Sequence, residues 1–151
     1  MTYKNILVAV DMTDEAEDVI STARDMAKAS GSTISVVTVI RPLADYYVNL
    51  YSTLADIADD SLELQAVDHA TASLAGLAKR YGIDAGAVNV IVGIPAVEIR
   101  QFAEKIDADL IVLGTHGRHG IGLMLGSTAN AVLHGTPCDV LAVRVRNKEA
   151  D

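Results

Sequence analysis

Five short, mainly apolar runs, Ile6 to Val10, Thr33 to Ile40, Val88 to Val92, Asp109 to Leu113 and Cys138 to Val145, are separated by segments long enough to form helices. Runs that are apolar at consecutive positions, rather than at every second one, suit strands covered on both faces. Such strands alternating with helices make parallel βαβ units. The chain therefore reads as an α/β protein, a doubly wound five-stranded parallel sheet with helices on both faces.

The intervening segments carry their own start and stop signals. Asp11-Met-Thr13-Asp14-Glu15 supplies a turn, a Thr N-cap candidate and first-turn acids for a helix to about Ser30, closed by Gly31. A long helix is expected from about Thr53 to Tyr81, ended by Gly82. Gly93-Ile94-Pro95 opens a helix to about Ile106, with proline at or near its first position. A short helix spans Ser127 to Leu133, with Gly135 after it. The segment Arg41 to Tyr51 reads as irregular. Its Tyr46, Tyr47 and Tyr51 either pack against the long helix or line an adenine pocket or partner surface. No repeat or linker interrupts the pattern, so residues 1–151 read as a single domain with a polar tail at 146–151.

With 151 residues, 50% of them hydrophobic, the chain can bury a core without disulfides or structural metal. A net charge of −8, with no basic cluster larger than Arg144/Arg146/Lys148, repels nucleic acid and anionic membranes, so neither is expected as a partner. Cys138 is the only cysteine and sits in an apolar run, which favours a packed thiol over a reactive one. The first apolar run is too short to span a membrane and no small-residue cleavage site follows it, so a cytoplasmic protein is expected.

The stretch with ligand chemistry follows the fourth run. Five glycines fall in the 13 residues from Gly114 to Gly126, and Ser127 and Thr128 then open the short helix. Glycines let a backbone approach a bound group closely, and free N–H groups at a helix start attract anions. Ser127 is expected both to cap the helix and to offer a hydroxyl to phosphate. The alternative is that the glycines merely permit a tight strand-to-helix connection. No Gly-Lys pair occurs, which excludes a Walker A loop, and no G-x-G-x-x-G follows the first strand. Arg118 either holds a phosphate or pairs with an acidic neighbour. Asp11, at the end of the first strand, caps the next helix, accepts hydrogen bonds from a ribose or binds a metal near phosphates. Ligands of doubly wound sheets bind beyond the carboxyl ends of the strands where strand order reverses, so the loops after the first and fourth strands flank one crevice if those strands are neighbours. His116 and His119 lack a third ligand at plausible spacing, so no metal site is expected. His69 and His134 read as surface residues within helices. No nucleophile elbow, triad order or carboxylate pair stands out, and no catalytic residue is assigned.

Taken in order, Lys4-Asn-Ile-Leu-Val-Ala-Val-Asp11, Gly93-Ile-Pro95-Ala-Val-Glu-Ile99, Ala108-Asp-Leu-Ile-Val-Leu-Gly-Thr-His-Gly117 and Leu125-Gly-Ser-Thr-Ala-Asn-Ala-Val-Leu133, leading to Pro137-Cys-Asp-Val-Leu-Ala-Val-Arg144, resemble the universal stress proteins, the A-type bacterial members in particular. The resemblance implies a sheet of order 3-2-1-4-5, similar to adenine nucleotide alpha-hydrolases. It also implies a homodimer joined through the last strand, here Cys138, Val140, Leu141, Ala142 and Val143. Members that bind ATP resemble the pattern G-x2-G-x9-G-(S/T). Here eight residues separate Gly117 from Gly126, and Ala9 stands where a comparable binder has proline. By similarity, adenine and ribose lie near Ala9, Asp11, Val39 and Leu113. Phosphates lie near Gly117, Gly126, Ser127 and Thr128, with Gly114 and Arg118 completing the set. The function so implied is a dimeric stress-response protein with ATP, ADP or AMP as a regulatory ligand, Mg²⁺ accompanying it, and further partners unidentified. The alternative is a nucleotide-independent interaction protein with a purely structural glycine loop. Slow ATP hydrolysis or self-phosphorylation is a third and weaker reading.

Overall fold

The computed structural model describes residues 2–42, 60–115 and 125–144. In chain order these form β1 (Asn5–Ala9), α1 (Ala16–Ser30), β2 (Thr33–Ile40), α2 (Asp60–Arg80), a 3-10 turn (Ala85–Ala87), β3 (Val88–Val92), α3 (Pro95–Lys105), β4 (Leu110–Gly114), α4 (Ser127–Leu133) and β5 (Asp139–Val143). The five strands make one sheet in the order β3-β2-β1-β4-β5, and every neighbouring pair is parallel. This is the topology that the resemblance implied.

Central β1 explains the layering. Ile6, Leu7 and Val8 are each 0% exposed, so consecutive side chains on opposite sides of the strand are both covered. Ile6 and Val8 join Val36 of β2 and Leu110 and Val112 of β4 beneath α1 and α2, where Ile20, Ala23, Leu74 and Ala78 complete the core. Leu7 and Ala9 join Val37, Ile111 and Leu113 beneath α3 and α4, where Ala96, Ile99, Ala103, Ala129 and Val132 meet them. At about 1.5–3 kcal/mol for each large apolar side chain buried, these two layers dominate the stability of the fold.

Element ends follow local chemistry. Gly31 closes α1 in the left-handed conformation, φ +68°, while its N–H and that of Ser32 both reach the Ala27 carbonyl. Gly82, φ +72°, plays the same part after α2. The expected Thr cap of α1 is not formed. The helix begins at Ala16 with Glu15 in the cap position, and the Thr13 hydroxyl instead donates to Asp11 Oδ1 at 2.8 Å. A carboxylate is the stronger acceptor and draws the hydroxyl backward. Pro95 occupies the first turn of α3, as expected. Residues 53–59, the start expected for α2, lie outside the described residues. No helix among the described residues is long and apolar enough to cross a membrane.

The amino end of the sheet is cross-linked by polar groups. Asp109 accepts the N–H groups of Lys4 (2.8 Å) and Asn5 (3.0 Å), fixing the start of β4 against β1. β4 therefore begins at Leu110 rather than at Asp109. Tyr3 donates its hydroxyl to Asp139 at 2.9 Å, and Ser32 donates to the Tyr3 carbonyl at 2.6 Å. Desolvation alone would raise the Asp109 pKa, but the main-chain N–H groups outweigh it and hold the carboxyl below its ordinary range. Because the folded value lies below the unfolded one, this stabilisation is complete above the unfolded pKa and is lost as pH falls through the folded one, below about pH 4. Asp109→Ala should lower stability by about 1–2 kcal/mol at pH 7 in urea unfolding. The gap from wild type should close as the pH is taken down through that window.

Candidate functional site

β1 and β4 are hydrogen-bonded neighbours, with Ala9 opposite Leu113 at the end of the shared register. From β1 the chain proceeds to β2 and β3 on one side, whereas β4 and β5 lie on the other. Strand order therefore reverses between β1 and β4, the place where a doubly wound sheet forms a crevice beyond its strand ends. Ala9 and Leu113 are buried on the α3/α4 side, and half-buried Val39 of β2 packs against the same layer. These three form an apolar floor. Asp11 lies two residues beyond β1, exposed, with its carboxylate held by Thr13.

The β4 side is pinned at two points. Gly114 ends the strand, and the next residue, Thr115, donates its N–H to the Val143 carbonyl at 2.9 Å. The Thr115 carbonyl in turn accepts the Gly126 N–H at 2.6 Å, so the residues on either side of the intervening loop are held against each other. Gly126, not Ser127, is the N-cap of α4. Its extended backbone (φ −61°, ψ 157°) presents its carbonyl to the Asn130 N–H at 2.9 Å, and Ser127 is already the first helical residue. The capping role expected for Ser127 therefore passes to the glycine. The Gly126 N–H is committed to Thr115, whereas the amides of Ser127 and Thr128 begin the helix with no intrahelical acceptor.

Ala9, Asp11, Val39, Leu113, Gly114, Gly126, Ser127 and Thr128 are thus gathered at the carboxyl end of the sheet, on or beside its α3/α4 face. Gly117 and Arg118, like His116, His119 and the tyrosines at 46, 47 and 51, lie outside the described residues. Two residues of note were not singled out in the sequence. Thr115 Oγ1 is buried and has no hydrogen-bond partner among the described residues. Arg100, on α3, donates from its guanidinium to the Ala131 carbonyl at 3.0 Å and to the His134 carbonyl, so a cation closes the carboxyl end of α4. His134 accordingly lies just past the helix rather than within it.

The model of the universal stress protein family matches residues 2–144. The chain belongs to that family. It is 36% identical over 143 residues to universal stress protein A homolog 1 of Coxiella burnetii, covering 95% of this chain and 97% of the relative. Universal stress protein UspA from Lactobacillus plantarum superposes with a TM-score of 0.74 at 26% identity, covering 97% of this chain and 99% of that one. Two further neighbours were solved with ligands. One is a universal stress protein in complex with cAMP (TM-score 0.59, 24% identity, 95% and 98% covered). The other is the universal stress protein from Archaeoglobus fulgidus in complex with dAMP (0.60, 21%, 97% and 100%). At those identities the likeness to the last two is one of fold.

In this universal stress protein Cys138, just before β5, lies at the amino end of the sheet, opposite the crevice. Among the described residues, no group of three or more His, Cys, Asp or Glu side chains could hold a metal ion. Cys138 precedes β5, half-buried, and burial pushes its thiol pKa up, outweighing the lowering effect of the Thr136 hydroxyl. The thiol is therefore protonated at neutral pH, and the thiolate is the reactive form. Cys138 should react with iodoacetamide more slowly than a free cysteine peptide at pH 7. Its rate should keep rising with pH beyond the point at which the peptide levels off, which mass spectrometry of timed samples can follow.

Proposed function

We propose that this universal stress protein binds an adenine nucleotide in the crevice between β1 and β4 and uses it as a regulatory ligand without obligatory turnover. The observation that carries this reading is the reversal of strand order between β1 and β4, with an acidic acceptor beyond one strand and the Gly126-Ser127-Thr128 helix start beyond the other. The cAMP and dAMP complexes of fold neighbours support the choice of an adenine ligand. Ala9, Val39 and Leu113 would offer apolar surface to the base. Asp11, which can only accept hydrogen bonds when ionised, suits the ribose hydroxyls. Gly114 leaves room for close backbone approach. The Ser127 and Thr128 amides and the Ser127 hydroxyl would meet phosphate, with Gly117 and Arg118 adding contacts from the loop. Mg²⁺ would arrive with ATP rather than on protein ligands of its own.

Calorimetry should give micromolar dissociation constants, about −8 kcal/mol, for at least one of ATP, ADP and AMP. Asp11→Ala should weaken binding about tenfold, equivalent to about 1.4 kcal/mol. Gly126→Val combined with Ser127→Ala should remove binding and, in a complementation assay, stress resistance with it. Absence of heat with every adenine nucleotide, and of any co-purifying nucleotide on mass spectrometry, would refute the reading. Intact stress resistance in the double variant would instead favour the nucleotide-independent alternative.

A second copy of the chain is the proposed partner, paired through β5. Among the described residues that strand has β4 on one side only, and Val140, Leu141, Ala142 and Val143 remain half-exposed along it. Open backbone groups on an apolar edge are a template for strand addition, and pairing satisfies them. The Val143 carbonyl faces β4, where it accepts the Thr115 N–H, so the alternate residues Val140 and Ala142 direct their backbone groups outward. Ala142→Pro should remove an outward donor while sparing the inner ladder. Light scattering after size exclusion should then report a monomer where wild type is a dimer.

A further inference from the structure

Among the described residues, the Thr115 hydroxyl is a buried polar group beside the crevice that no hydrogen bond uses. Both main-chain groups of this residue are committed, its N–H to the Val143 carbonyl and its carbonyl to the Gly126 N–H. Its Oγ1 is buried without a hydrogen-bond partner among the described residues. Valine has nearly the same shape and would fill the position with no polar atom to desolvate, so a threonine here carries a cost that packing does not recover.

Its placement indicates what could recover it. In the β1/β4 register Ala9 stands opposite Leu113 as the last pair, and Asp11 and Thr115 each follow two residues later, in the segments that leave the two strands. On its other side Thr115 is bonded directly to Gly126, the residue that precedes Ser127. It therefore lies on the β4 side of the crevice, beside the helix start suited to phosphate. A neutral hydroxyl that has no acceptor among the described residues and stands beside that helix start is matched to an anionic oxygen, to which it can donate a short, charge-assisted hydrogen bond.

We propose that Thr115 is a ligand-binding residue whose hydroxyl donates to a phosphate oxygen of the nucleotide, and so distinguishes nucleotides from nucleosides. This rests on the reading of the crevice as an adenine-nucleotide site and deepens it. Calorimetry with AMP and with adenosine on the wild type, Thr115→Val and Thr115→Ser, together with melting curves of the ligand-free proteins, tests the contact. Thr115→Val should bind AMP about tenfold more weakly and adenosine as wild type does. Thr115→Ser should retain AMP affinity, and the melting temperature of Thr115→Val should be unchanged or raised. Unchanged AMP affinity in Thr115→Val overturns the contact while leaving the nucleotide site standing. An equal loss of AMP and adenosine, or a lowered melting temperature, overturns it in favour of a structural hydroxyl. A wild type that binds neither AMP nor ATP removes the site itself, and the contact with it.

Discussion

The parallel pairing of β1 with β4 is the constraint on which the other features depend. Without it the first three strands form a sheet that grows in one direction only, with no reversal and no crevice. With it, β1 becomes the central strand, covered on both sides, and its consecutive apolar residues are divided between two cores. The same pairing leaves β5 at an edge and brings the carboxyl ends of β1 and β4 side by side. Asp109 secures this arrangement at the amino end by accepting two N–H groups of the β1 segment, a bond between residues more than a hundred positions apart in sequence. A carboxylate accepting main-chain N–H groups tolerates little displacement, so it sets the register as well as joining the strands.

The two ends of the sheet are built differently. At the amino end the polar groups of Tyr3, Ser32, Asp109 and Asp139 satisfy one another or the main chain. At the carboxyl end the main chain is pinned through Thr115 and Gly126, yet a buried hydroxyl has no partner among the described residues. Rigid backbone with unspent hydrogen-bonding capacity is the arrangement that a preorganised binding site requires.

Much of the fold was legible because its strands are buried on both faces. Consecutive apolar residues at Ile6 to Ala9 and the β-branched run at Thr33 to Ile40 admit few other readings, and Gly31, Gly82 and Pro95 mark helix ends by backbone chemistry that is local. The strand order was not contained in periodicity and entered through the family resemblance. Where the reading shifted, a competing bond intervened. Thr13 turns to Asp11 instead of capping α1, and Gly126 takes the cap because its backbone is held extended beside Thr115. Thr115 and Arg100 were missed for a related reason. The Thr115 hydroxyl stands without a partner among the described residues in a place that β5 and Gly126 define, and Arg100 reaches carbonyls 31 and 34 residues away. No short window of sequence contains either relationship.

Arg100 also has a mechanical consequence. α4 contains seven residues, so it is a rod about 10 Å long, with Ser127 at the crevice and its far end leading through Gly135 and Pro137 into β5. The guanidinium fastens that far end to α3. A push on the Ser127 end therefore cannot slide α4 alone. Either α3 travels with it as one lever, or the carbonyls slip from Arg100 and the turn into the edge strand takes up the displacement.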